Sequence, residues 1–501
     1  MKRTTINLIP DIRNDSPDYY CTWQTQLFAT SGGKPERQRA IIGEKALFDF
    51  EKPYGWAYFY ESIRKDLYLV MDDSWDVPPN GDRSYFGSLK LDAEKFPDAT
   101  KGKNSNTQAM KQLADKIKAI GWKGLGGWVC AQESLHSRPE GETDEQYWIE
   151  RLKEAQEAGI SYWKVDWGKK DKDAEFRKIL TALAHRYAPD LMIENAMLRK
   201  EIPNFDVFRT YDVPEIMSIP MTIEKICKIK MAEVGAPSDG CFALINCEDE
   251  AYVGAAGGFA IGVMRHPFAG PFPNGNADMS FPQVHRNVKT KMYEIIRAVR
   301  WHRIAPAFSF DGRYLDISST VLSDTWRFVN QDEEIESWWW DQPVIRDCCQ
   351  NQILTRTAPS AISRNISLSN ITVSPDGNGN LPYVVASQNP NGVFSIATLG
   401  RTRERSYDIP RCDISVRIGS ADTIGVFGEY QTLVLSLTES RAIHTVLMQD
   451  IAADMAVDVT QSISISDGKI IIPGQLIHEV GTSAQPTTDT SEPGVVIRLL
   501  S

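Results

Sequence analysis

Four short motifs bring carboxylates together with a cation, an indole or an amide. They are Asp72-Asp73-Ser74-Trp75, Lys164-Val165-Asp166-Trp167, Glu194-Asn195 and Arg209-Thr210-Tyr211-Asp212, and a further acidic pair, Glu248-Asp249, follows. Adjacent carboxylates repel, so holding Asp72 and Asp73 together needs a reason, such as a polyol ligand or a helix cap. Lys164 and Asp166 are two residues apart, and alternate residues of a strand share a face. The ammonium would keep Asp166 ionised, as a nucleophile must be. Arg209 either neutralises an acidic cluster or donates to a hydroxyl beside the nucleophile. Asp212 either pairs with Arg209 or serves as a general acid if its surroundings raise its pKa. Carboxylates converging with Lys, Arg and Trp suit glycoside hydrolysis. One carboxylate attacks the anomeric carbon or orders water, and a second protonates the leaving oxygen. Others accept from sugar hydroxyls, while Trp meets the apolar C–H face.

Such residues must be held at strand ends. Over the first ~310 residues, short apolar runs alternate with amphipathic stretches, which implies a parallel sheet with crossover helices. Strands are predicted at 20–26, 66–71, 124–129, 161–165, 191–194, 207–210, 242–246 and 258–263. Helices are predicted at 107–120, 144–158 and 173–187, each stopped by Gly or Pro. Eight strands of this kind match a (β/α)8 barrel over 1–310, with its site at the carboxyl ends of the strands. Beyond residue 310, β-branched segments alternate with turn signals, including Asn391-Gly392 and Asp467-Gly468. These predict an antiparallel β-sandwich over 311–501, the boundary falling somewhere in 300–370.

Composition narrows the classes. The 501 residues carry 55 Lys and Arg against 66 Asp and Glu, a net charge of −11. That argues against sequence-independent nucleic-acid binding and a polybasic membrane surface. No run approaches the ~20 apolar residues of a membrane span, and the N-terminus lacks an apolar signal-peptide core. Cytoplasmic residence, or secretion after removal of a signal, is the expectation. The 8 cysteines show no CxxC. Free thiols are expected. No HxH or HExxH occurs, so no catalytic metal is expected, and glycoside hydrolysis needs no cofactor. The run Gly124-Leu125-Gly126-Gly127 lies in a strand-like stretch without a phosphate-loop Lys-Ser/Thr. Trp338-Trp339-Trp340 reads as packing rather than a sugar platform. A homo-oligomer is compatible with all of this.

The order of these motifs resembles glycoside hydrolase families 27 and 36, the α-galactosidase clan. The resemblance spans most of residues 20–215. It rests on DLYLVMDDSWDVPPNGDRSYFGSLKLDAEKFPD, Ile120-Gly121-Trp122-Lys123-Gly124-Leu125-Gly126, Tyr162-Trp163-Lys164-Val165-Asp166 and Cys21-Thr22-Trp23-Gln24. It implies a retaining exo-acting α-glycosidase built as a barrel followed by a β-sandwich, with a glycoside or oligosaccharide as substrate. Asp166 would be the nucleophile and Asp212 the acid/base. Asp72 and Asp73 would bind sugar O4 and O6, Lys164 O3 or O4, and Arg209 O2, with Trp23, Trp75 and Glu194 completing the pocket. Only Thr210 and Tyr211 separate Arg209 from Asp212, where the family has three residues, so Glu215 is the alternative acid/base. Glu194 with Met197 resembles members that accept a free 2-hydroxyl rather than N-acetyl.

Overall fold

A computed structural model describes residues 2–32, 35–196, 206–209, 217–231, 241–246, 251–268, 270–275, 290–309, 315–327, 351–437 and 442–501. Eight parallel strands close into a barrel: β1 (Tyr19–Cys21), β2 (Tyr68–Met71), β3 (Gly124–Val129), β4 (Tyr162–Val165), β5 (Met192–Asn195), β6 (Val207–Arg209), β7 (Phe242–Asn246) and β8 (Ala260–Val263). The ring is sealed where Tyr19 and Tyr20 pair with Gly262 and Val263. Seven helices are used below: α1 (Trp23–Ala29), α2 (Asn106–Ile120), α3 (Asp144–Ala158), α4 (Ala174–Tyr187), α5 (Ser218–Met231), α6 (Ala251–Gly257) and α7 (Met292–Trp301).

Local chemistry sets the helix limits. Ser105 accepts the Gln108 N–H ahead of α2, and Thr143 and Gln146 form a reciprocal capping box on α3. Both helices stop where a glycine takes positive φ, Gly121 at 111° and Gly159 at 70°. Asp173 caps α4 through the Phe176 N–H.

Strand parity sorts the side chains. Tyr19, Cys21, Val70, Tyr162, Val207, Leu244 and Ala260 belong to one apolar cluster inside the barrel. Their chain neighbours Tyr20, Leu69, Trp163, Phe208, Ile245 and Ile261 pack outward under the helices. The glycines of β3 make room for large neighbours. A Cβ on Gly126 would lie 2.8 Å from the Tyr162 Cβ, and one on Gly127 3.1 Å from the Trp75 ring. These are packing glycines in a strand.

One predicted strand differs. The segment 20–26 is strand only to Cys21, and Trp23 begins α1. Thr22 Oγ1 donates to Gln26 Oε1 at 2.7 Å and Tyr20 OH meets Thr25 Oγ1 at 2.6 Å, so the polar residues find partners within the helical turn.

The C-terminal half builds nine-, five- and four-stranded sheets. The first two face each other across Val384, Ile396, Val426, Val416, Leu433 and Ile472. Most pairings are antiparallel, as expected. Parallel neighbours also occur, Phe394–Leu399 with Thr423–Phe427 and Asp413–Gly419 with Thr432–Leu437 among them. Both turn dipeptides join hairpins, and Asp467 and Gly468 take φ of 49° and 71°.

The other face of the nine-stranded sheet packs on the barrel through Val385, Ala397 and Phe427. Arg297 of α7 forms a two-pronged, fully buried ion pair with Asp450, at 2.8 and 3.0 Å. Arg364 donates to the carbonyls of Gly257, Gly258, Phe308 and Ser309. One segment crosses the expected division at residue 310. Lys2–Arg3 pairs with Val457–Asp458 at the edge of the nine-stranded sheet. The Trp338–Trp340 run and Glu248-Asp249 lie outside the described residues.

Candidate active site

The carboxyl ends of β1 to β6 carry a buried polar cluster. Asp72 follows β2, Lys164 lies on β4, Asp166 follows it, Glu194 lies on β5 and Arg209 ends β6. All five are between 0 and 7% exposed. Lys164 Nζ is 2.5 Å from Asp72 Oδ2 and 3.8 Å from Asp166 Oδ2. Arg209 reaches Asp166 Oδ2 at 3.7 Å and Glu194 Oε1 at 3.6 Å. Its guanidinium also donates to the Ala196 carbonyl at 3.0 Å.

Three buried carboxylates thus share two cations, and their environments separate them. Burial alone would raise Asp166. The charges of Lys164 and Arg209 and the Trp128 indole N–H, at 3.1 Å from Asp166 Oδ2, outweigh it and hold the carboxyl below its usual value. Glu194 goes the other way. Its burial exceeds the pull of Arg209, Lys164 and the Tyr162 hydroxyl, so its pKa is raised. Tyr162 OH donates to Glu194 Oε2 at 2.7 Å, while Glu194 Oε1 accepts no hydrogen bond. Desolvation would lower Lys164, but Asp72 and then Cys21 and Asp166 hold it well above the usual amine value.

Asp73 is half-buried and makes no ion pair among the described residues. Desolvation, then the charges of Asp72 and Asp166, push it up to about 7, against a Ser74 hydrogen bond of 2.6 Å and the charge of Arg39. One depressed and one raised carboxyl at a single mouth is the arrangement acid–base chemistry requires.

The backbone around Asp166 is held from two sides. Arg177 of α4 donates to the carbonyls of Val165, Asp166 and Asp171 at 2.8–2.9 Å. Gly168, at φ 152°, lies so close to Ala131 that a Cβ would come within 2.7 Å of its backbone nitrogen.

Of the predicted residues, Asp72, Lys164, Asp166, Glu194 and Arg209 converge, and Asp73 stands beside Asp72. Trp75 does not join them. Ser74 takes φ 73° and turns the chain back, so Trp75 is buried behind the wall against Gly127, donating Nε1 to the Trp128 carbonyl at 2.8 Å. Trp23 is buried in the apolar cluster inside the barrel, carried there by α1 rather than by a strand end. Asp212, Glu215 and Met197 lie outside the described residues.

Sequence reasoning missed three contributors. Trp128 touches Asp166, Tyr162 touches Glu194, and Cys21 lies 2.9 Å from Asp72 Oδ2 and 3.7 Å from Lys164 Nζ. A signal for two of them existed. Tyr162, Lys164 and Asp166 have one parity, and Trp128 pairs with Lys164 across β3 and β4. Among the described residues no three His, Cys, Asp or Glu side chains gather as a metal site, and no helix is long and apolar enough to cross a membrane.

The molecule is thus a (β/α)8 barrel with a β-sandwich on its flank and a buried, charge-paired carboxylate cluster at the strand ends. No family model and no curated protein matches the chain. Among solved structures it is similar to a family 27 β-L-arabinopyranosidase from Geobacillus stearothermophilus, with 12% identity, 97% of this chain and 96% of that one covered, and a TM-score of 0.40. It is also similar to an α-galactosidase from Saccharomyces cerevisiae, with 10% identity, 97% and 98% covered, and a TM-score of 0.39. A third is a protein from Bacillus halodurans C-125 proposed to be an α-N-acetylgalactosaminidase, with 12% identity, 99% of both chains covered and a TM-score of 0.39.

Proposed function

We propose that the chain is a retaining exo-acting α-glycosidase, with α-D-galactosides as the favoured substrates. The observation that carries this is Asp166, an anionic carboxylate held at the barrel mouth by Lys164, Arg209 and Trp128. An ionised, desolvated and oriented carboxylate is what attack on an anomeric carbon needs. Glu194 Oε1 is buried 3.6 Å from Arg209 Nε and accepts no hydrogen bond, which suits a sugar hydroxyl donor, and the half-buried Asp73 suits a second. Asp166 attacks as the leaving oxygen takes a proton from Asp212, and the same residue then activates water to release the sugar. Asp212 holds that role by its place in the motif, with Glu215 as the alternative. The resemblance of residues 20–215 to the α-galactosidase clan supports the assignment, and Glu194 with Met197 favours a free 2-hydroxyl.

Hydrolysis of a panel of 4-nitrophenyl glycosides tests the reading. The panel holds α-galactoside, α-N-acetylgalactosaminide, β-L-arabinopyranoside and α-glucoside. Turnover of the α-galactoside is expected, abolished by Asp166→Ala and partly restored by azide. Wild-type-like turnover in Asp166→Ala would remove Asp166 from the role. The short spacing from Arg209 to Asp212 favours one second reading, a sugar-binding protein without an acid. It predicts galactose binding by calorimetry and silence across the panel.

A further inference from the structure

Asp73 is the least anchored carboxylate of the mouth. Asp72 is gripped by Lys164 and Cys21, and Asp166 by the Trp128 indole. Among the described residues the Asp73 carboxyl bonds only to Ser74, its neighbour in the chain. The direction in which that carboxyl points is therefore decided by its main chain.

The main chain is held from α1. Gln26 Nε2 donates to the Asp73 carbonyl at 3.0 Å. Gln26 Oε1 accepts from the Thr22 hydroxyl at 2.7 Å, and the Thr22 oxygen accepts the Asp72 N–H at 2.9 Å. The two side chains thus clasp the Asp72-Asp73 pair, one at the N–H that opens it and one at the carbonyl that closes it. Both are fully buried. Trp23 and Leu27, one residue to either side, seat the helix in the apolar cluster inside the barrel.

The polarity of this relay is forced from end to end. A carbonyl only accepts, so the amide nitrogen must face Asp73 and the amide oxygen Thr22. The single hydroxyl proton of Thr22 then goes to that oxygen, and a lone pair is left for the Asp72 N–H. Neither a carboxylate nor an apolar side chain at position 26 completes it. A buried amide costs more to desolvate than an apolar side chain of the same size, and packing alone does not call for one.

We propose that Gln26 is a positioning residue for sugar binding, acting with Thr22 to aim the Asp73 carboxyl at a substrate hydroxyl. This rests on the reading of Asp73 as a sugar ligand and adds what orients it.

The test is the affinity of the full chain for galactose, by calorimetry at pH 8 and pH 5. Gln26→Met keeps the length of the side chain and removes both ends of the relay. Its Kd should rise about tenfold at both pH values. Thr22→Val should do the same, while Thr22→Ser should keep the wild-type affinity.

Gln26→Glu adds a readout that loss of packing would not move. At pH 8 the introduced carboxylate accepts from Thr22 but sets a second acceptor against the Asp73 carbonyl, and binding should weaken by about tenfold. Burial raises the pKa of such a group. At pH 5 its protonated form donates to the Asp73 carbonyl, so the ratio of variant to wild-type Kd should fall back towards one. The same ratio at both pH values would make position 26 a packing site and overturn the proposal. Wild-type affinity in Gln26→Met would overturn it too, leaving only an effect of the introduced charge. Wild-type protein that binds no galactose would overturn the sugar reading of Asp73, and this inference with it.

Discussion

Trp128 is a single donor with a measurable consequence. Its N–H is one of the groups that hold Asp166 below the usual carboxylate range. Trp128→Phe keeps an aromatic ring and removes the donor. A hydrogen bond to a charged group contributes roughly 1.5–3 kcal/mol, so the acid limb of kcat/KM should move up by about one pH unit or more. An unmoved limb would mean that Lys164 and Arg209 suffice. Asp73 gives the opposite sign. Its folded-state pKa of about 7 lies above the ordinary 3.8, so the folded state binds the extra proton and loses stability as pH rises between those values. Asp73→Asn should therefore raise the melting temperature at pH 8 more than at pH 5, by a difference on the order of a degree or two, read by a thermal scan. At this scale the sequence was legible where charge was involved. Lys164 and Asp166 reveal their shared face by spacing alone. Trp75 misled because three residues of separation from Asp72 cannot show that Ser74 reverses the chain.

At the scale of elements, β3 shows what its glycines are for. Gly126 leaves room for Tyr162, which in turn orients Glu194. Gly126→Ala should cost about 1–3 kcal/mol by overpacking, measured by urea unfolding, and should lower turnover with it. An unchanged midpoint would show that the strand shifts freely. The helices were readable because their caps are written locally, as Thr143 with Gln146 and Asp173 show. The first strand was not, because Cys21 to Gln24 alternate apolar and polar like a strand until the partners of Thr22 and Thr25 are known.

For the whole molecule, the seam between barrel and sandwich is an extension of the core. Arg297 and Asp450 are both fully buried, so Asp450→Asn leaves a guanidinium short of its charge partner. The cost should be about 3–5 kcal/mol. Calorimetry should then show one transition at a lower temperature for the whole chain. Two separated transitions would mean that the halves unfold independently. The composition change near residue 310 is where the sequence was divided into barrel and sandwich. It could not show that Lys2–Arg3 belongs to the far sheet, since two residues carry no periodicity.

That strand also sets a clock. Thr4 bonds to Ala456, a partner 452 residues later. A ribosome adding ~5–20 residues per second would deliver that partner roughly 20–90 s after Thr4 itself. The barrel segments are synthesised in that interval, with the opening residues still unpaired. Completion of the fold is therefore a late event in biosynthesis, and the nascent chain carries an open sheet partner that a chaperone could hold until the last strands arrive.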